Sequence, residues 1–204
     1  RGLFVGEGGT MESGGVAFRS AAALAQRVNI DVVDAPLPRV ACWLDPVEFK
    51  STWLGNKAIY RTRMAIADDG ELVVLAPGVH RFGEDDVIDD LIRRHGYHGT
   101  PAALEAVRTD PELAANLGAA AHVVHGSSEG RFRIVYCTDP AEGGLTRSEV
   151  ESVGYGWRPL GEMLRELGVD AHTPGGERTD SHGDRFFHVA NPAMGLWSTR
   201  ERLG

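Results

Sequence analysis

Apolar positions along the chain fall into two recurring patterns. Short, nearly continuous runs at 39–44 (RVACWL), 71–76 (ELVVLA), 131–137 (RFRIVYC) and 185–190 (RFFHVA) have the length and composition of buried strands. Before and between them lie stretches with apolar residues at helical spacing: 16–28, 56–67, 84–95, 145–153 and 159–167. Two more helices begin at Thr100-Pro101 and Asp110-Pro111, each placing a capping residue before a proline, and the second runs towards His125. Asp45-Pro46, Asp68-Asp69-Gly70, Pro77-Gly78 and Asn191-Pro192 interrupt the periodic segments, and the polar stretch 179–184 reads as a hairpin or exposed loop. The order β-α-β-α-α-α-β-α-α-β, with strands apolar on both faces, predicts an α/β fold. The expected architecture is a three-layer sandwich with a mainly parallel sheet. The strands at 39–44 and 71–76 are expected to be parallel neighbours, joined by a right-handed crossover through the 56–67 helix.

Composition narrows the function classes. The chain has 204 residues, 42% of them hydrophobic and 25% charged, which suits one large globular domain. Twenty-nine acidic residues against 21 basic ones give a net charge of −8, the wrong sign for a phosphate-backbone binder, so no nucleic acid partner is expected. No apolar stretch approaches the roughly 18 residues of a membrane span, so no membrane partner is expected. Cys42 and Cys137 form no CxxC pair and lie within apolar strands, which reads as inert core thiols in a reducing cytoplasm. The first fifteen residues hold six glycines and begin Arg1-Gly2-Leu3, which reads as an interior portion of a longer protein. Residues 1–30 are therefore expected to link to an N-terminal domain, and residues 31–204 to form the α/β domain.

The basic residues are nineteen Arg and two Lys, Lys50 and Lys57. Arg is a planar, permanently charged fork, whereas Lys offers a compact ammonium. Two lysines retained within eight residues of an Arg-rich chain suggest a site that needs one. Ligands of open α/β sheets sit beyond the carboxyl ends of the strands, where the loops 45–57 and 77–85 fall. Lys50, Ser51, Thr52, Asn56 and Lys57 would then face His80 and Arg81, a set suited to a carboxylate and several hydroxyls; the alternative is a solvated pair of loops. Lys57 is expected to open its helix, at the positive end of the dipole, where a bound anion would give it a purpose. His122 and His125 lie three apart on a helix, as metal ligands, as an acid/base pair, or as a packed residue beside a C-terminal dipole partner. No third metal ligand has fitting spacing. The run 126–130 is only loosely like a phosphate cradle, because a strand follows it.

The segment 39–85 (RVACWLDPVEFKSTWLGNKAIYRTRMAIADDGELVVLAPGVHRFGED) resembles the start of the C-terminal domain of the lactate racemase family, nickel-pincer-nucleotide-dependent racemases and epimerases of 2-hydroxy acids. The shared pattern is a strand, a loop, a lysine opening a helix, a turn with Gly, and an apolar strand; weaker similarity continues through 131–137 towards the end. The resemblance implies reversible hydride removal from the hydroxyl-bearing carbon, with the cofactor and paired histidines on an N-terminal domain that nothing here matches. It carries over one residue, Lys57, as a substrate contact, with Lys50, Thr52, Asn56, His80 and Arg81 as further candidates around it. The family's glutamine one turn earlier is Leu54 here, which, with the polar surroundings, points to a longer hydroxy acid such as a sugar acid. The full-length protein is thus expected to be an isomerase, with no catalytic group, metal or cofactor on this portion. Alternatives are a non-catalytic ligand-binding or assembly domain retaining the fold, and a Rossmann-like dehydrogenase, disfavoured because no GxGxxG follows a strand.

Overall fold

The structure, a computed structural model, describes residues 15–203. The glycine-rich expectation for residues 1–14 lies outside the described residues, as does Gly204. In chain order the elements are α1 (Val16–Asn29), β1 (Asp31–Val33), β2 (Leu37–Trp43), α2 (Thr52–Gly55), α3 (Lys57–Thr62), β3 (Ile66–Leu75) and α4 (Asp86–His95). Then follow α5 (Thr100–Thr109), α6 (Pro111–Ala115), α7 (Leu117–His125), β4 (Phe132–Thr138), α8 (Arg147–Ser152), β5 (Gly156–Pro159) and α9 (Leu160–Leu167). The last elements are β6 (Gly176–Thr179), β7 (Arg185–Val189), β8 (Trp197–Thr199) and α10 (Arg200–Leu203).

Six strands form one sheet in the order β5-β4-β3-β2-β7-β6, parallel throughout except for the edge strand β6. β2 and β3 are parallel neighbours from Val40 beside Leu72 to Trp43 beside Leu75, as their continuous apolar character requires. Side-chain alternation divides the core. Val40, Cys42, Leu72 and Val74 face Ile59, Ile92 and Val123, while Ala41, Val73, Leu75 and Val135 face Leu160, Met163 and Leu167 of α9. Helices therefore cover both faces, giving the α/β sandwich. Each fully buried Leu, Ile or Val contributes about 1.5–3 kcal/mol over its exposed state, so these faces dominate the stability. The short strands β1 and β8 pair in parallel as a separate two-stranded sheet, tying the chain from Asp31 onwards to its C-terminal portion.

Several boundaries differ from the sequence expectation. The helix expected at 56–67 ends at Thr62, and Ile66 already pairs with Leu37. Asp68-Asp69-Gly70 lies inside β3 as an irregularity: the register shifts between Leu37 and Arg39, and Asp69 takes φ 61°. A Cβ at position 70 would sit 2.9 Å from the carbonyl oxygens of Ala67 and Pro38, so the close approach requires glycine. The helix expected from Asp110 to His125 is broken at Asn116, whose side chain caps the second part at Ala119 N. β1, β5, β6 and β8, of three or four residues each, show no readable periodicity. The polar stretch 179–184 is the β6–β7 connection, anchored by Arg39 donating to Asp180 at 2.7 Å.

Candidate functional site

The loops that follow β2 and β3 lie side by side at the carboxyl edge of the sheet. His80 N donates to Lys50 O at 3.1 Å, Thr52 N to Arg81 O at 3.1 Å and Trp53 N to Phe82 O at 2.8 Å, and Ser51 bridges Arg81 in parallel. The contact is backbone against backbone at Gly78, where a Cβ would come within 2.7 Å of Pro46 Cα. Lys50, His80 and Arg81 are thus gathered along one rim, with Lys57 following at the start of α3.

Their environments differ. Lys50 and His80 are exposed, with His80 Nδ1 3.0 Å from Gly78 O. Arg81 is engaged by acids of α4, donating to Asp86 at 2.8 Å and lying 3.8 Å from Asp89. Burial pushes the Asp89 carboxyl up, but hydrogen bonds from Arg93 and from the Gly83 and Phe82 amides outweigh it and hold the group below the ordinary carboxylate range. Lys57 is half-buried, its ammonium 3.9 Å from Glu48 and 5.6 Å from the Phe49 ring centre. It opens α3 as expected, but not at a free helix end. α2 leads into α3 through Asn56 in right-handed helical backbone (φ −66°, ψ −2°), and Asn56 N donates to Thr52 O, so Lys57 has a helical turn before it.

Thr52 and Asn56, expected to face the substrate, turn into the interior instead. Both are buried, because their polar groups find partners among buried residues rather than in solvent. Asn56 Oδ1 accepts from Tyr136 at 2.7 Å and Tyr155 at 3.3 Å, and Tyr155 also donates to Gly126 O at 2.8 Å. Thr52 Oγ1 donates to Phe82 O at 3.0 Å and lies 2.8 Å from Tyr97 Oη. Tyr97, Tyr155 and Tyr136 stack with ring centres 4.7 and 5.0 Å apart. Burial holds all three phenols well above their ordinary pKa, so they work as neutral hydroxyls.

His122 belongs to this buried floor, with its Nε2 3.0 Å from Tyr97 Oη and 3.4 Å from Asn56 Nδ2, and its ring 4.5 Å from Trp53. The Asn56 amide is oriented by Tyr136, which leaves its N–H side towards Nε2 at the longer distance. Burial first, then the charge of His125, lowers the His122 pKa to about 4. His125 itself is exposed. The two histidines therefore diverge, one packed and one solvated. The 126–130 loop is no open cradle either: a Cβ on Gly126 would be 2.3 Å from the Tyr97 ring, and Glu129 fills the start of α5 by accepting from Thr100 N at 3.1 Å.

Among the described residues, no three His, Cys, Asp or Glu side chains are grouped to hold a metal ion. Cys42 and Cys137 are free and buried, and burial raises both thiols, Cys137 to about 12. These donors do not fit a nickel-pincer nucleotide. The residues that sequence reasoning missed are Glu48 beside Lys57, Asn191 bonded to Glu48, and the three tyrosines of the floor. No local spacing marks them, because the tyrosine bonds to Asn56 join positions 80 and 99 apart in the chain.

Comparison with known proteins adds a fold relationship. No protein-family model matches the chain, and no curated protein matches it. The crystal structure of a Thermotoga maritima protein is similar over 90% of this chain and 42% of its own, with a TM-score of 0.66 and 18% identity. The lactate racemase apoprotein from Thermoanaerobacterium thermosaccharolyticum is similar over 89% of this chain and 40% of its own, with a TM-score of 0.55 and 12% identity. This chain spans about two fifths of the length of each, and what it shares with them is the fold, which is lactate-racemase-like.

Proposed function

We propose that the chain is the C-terminal, substrate-cleft domain of a racemase or epimerase of 2-hydroxy acids, with sugar acids as the substrate class. The observation that carries this reading is the coincidence of the lactate-racemase-like fold with a half-buried lysine, Lys57, at the carboxyl edge of the parallel sheet. In this proposal the Lys57 ammonium holds the substrate by a charge-assisted hydrogen bond and pre-organises it for inversion, with Lys50 and His80 reaching outlying hydroxyls. Arg81, already paired with acids, shapes the rim. The nickel-pincer nucleotide and the proton-transfer groups reside on an N-terminal domain outside this sequence, and the setting is cytoplasmic.

The test is made in the full-length protein. Lys57→Ala should lower kcat/KM for a hydroxy acid by about 100-fold, roughly 2.7 kcal/mol of transition-state stabilisation. Lys57→Arg should rescue little, because a planar fork replaces a compact ammonium. Near-normal turnover in Lys57→Ala would overturn the assignment. Elemental analysis of the 204-residue chain should find no stoichiometric nickel; tightly bound nickel would overturn the division of labour and bring His122 and His125 back into consideration.

A second reading is a non-catalytic ligand-binding domain. It is favoured by a cavity of about 440 Å³ at the opposite, amino edge of the sheet, lined by Val32, Pro36, Pro38 and Phe187 with Arg39 and Glu177. Ligand binding that is lost on Phe187→Ala and unaffected by Lys57→Ala would select it.

A further inference from the structure

Glu48, on the loop after β2, sits directly against Lys57. Its Oε1 is 3.9 Å from Lys57 Nζ, and its Oε2 accepts from Asn191 Nδ2 at 3.4 Å. The Asn191 amide is itself oriented, since its Oδ1 accepts from Ala193 N at 2.8 Å and leaves Nδ2 to face the carboxylate. The Phe49 ring backs the same ammonium. One carboxylate is thus bracketed by an ammonium and an amide, which is the arrangement that the carboxylate of a hydroxy acid would require.

The pair is built loosely. The Glu48 side chain is 42% exposed, that of Lys57 27%, and their separation lies at the long end for an ion pair. So exposed a pair adds little to stability and is readily exchanged for another of the same charge. We propose that Glu48 is an internal competitor at Lys57: its carboxylate fills the anion position and must be displaced by the carboxylate of the incoming 2-hydroxy acid. This rests on the reading of Lys57 as the substrate lysine. Glu48 then sets specificity through affinity. A ligand with a full carboxylate repays the displacement, whereas a neutral polyol of the same length cannot take the vacated charge.

The experiment combines kinetics with a readout independent of turnover. In the full-length protein acting on gluconate, Glu48→Gln should lower KM about fourfold with kcat unchanged, about 0.8 kcal/mol at about 1.4 kcal/mol per tenfold. In a Lys57→Ala background the same substitution should do nothing. On the 204-residue chain, reductive ¹³C-dimethylation labels the two lysines and the α-amino group, and Lys50→Arg and Lys57→Arg assign the two lysine signals. Gluconate should move the Lys57 signal at about fourfold lower concentration in Glu48→Gln than in the unsubstituted chain, and the neutral polyol sorbitol should move it in neither. An unchanged or raised KM in Glu48→Gln, or equal gluconate midpoints, overturns the competitor role. If Lys57→Ala impairs turnover while Glu48→Gln is silent, only this inference fails. If Lys57→Ala turns over normally, or gluconate moves neither lysine signal, the functional reading fails with it.

Discussion

The eight residues from Lys50 to Lys57 supply two regions with opposite physical characters. Thr52 and Asn56 point into a floor of tyrosine hydroxyls and one neutral histidine, where their polar contacts are made away from water. Lys50 and Lys57, with His80 across the loop, form a rim whose charges keep contact with solvent. In the floor, hydrogen bonds are expensive to break because a buried partner left behind cannot turn to water. On the rim, pairing contributes little to folding because water competes for every charge. The same short segment thus separates stability from ligand contact residue by residue, and a rigid floor holds a labile rim in place.

The comparison predicts unequal responses to substitution. The largest belongs to Asn56→Ala, which strands Tyr136 and opens space among the stacked rings; it should cost about 4 kcal/mol, measured by urea denaturation. Tyr136→Phe in that background should recover part of the loss, since the stranded hydroxyl is gone. Equal costs for Asn56→Ala and Lys50→Ala would erase the distinction between the regions.

Acidification probes the floor through His122. The unfolded histidine takes up its proton near its ordinary value of 6.5, the folded one only near 4. Between those values the unfolded state binds more protons, so the stabilising contribution is complete above about pH 6.5 and declines as the pH falls towards 4. The total loss is about 3 kcal/mol. His122→Gln should remove this part of the slope in denaturation profiles, leaving that of His188, which burial also holds below its ordinary value. An unchanged slope would mean that His122 is solvated.

The smallest effects are expected on the rim. Lys50→Ala, Lys57→Ala and His80→Ala should each shift unfolding free energy by no more than about 0.5 kcal/mol. A Lys57 variant that destabilised the fold by several kcal/mol would make that lysine a structural residue and break the comparison from the other side.

Much of the architecture was written in local pattern. The apolar runs at 39–44, 71–76, 131–137 and 185–190 all became strands of one sheet, since a continuous apolar segment of that length must be covered on both faces. Adjacency of the first two brought the loops carrying Lys50 and His80 together. Strands of three or four residues carry no legible pattern because a period of two needs more positions to show. The Asp68–Gly70 irregularity reads as a turn in the sequence because its glycine serves a close backbone approach that only the neighbouring strand creates.

Residue chemistry and spacing by themselves determined the α/β class, the parallel pair at the centre of the sheet, and the interest of two lysines in an arginine-rich chain. Which polar residues of 50–57 face outward was decided only by the tertiary structure. Asn56 is drawn inward by Tyr136 and Tyr155, and Lys57 is met by Glu48, which Asn191 holds in turn. Burial and hydrogen-bond satisfaction depend on partners that the chain brings near only by folding, and a linear pattern holds no record of those meetings.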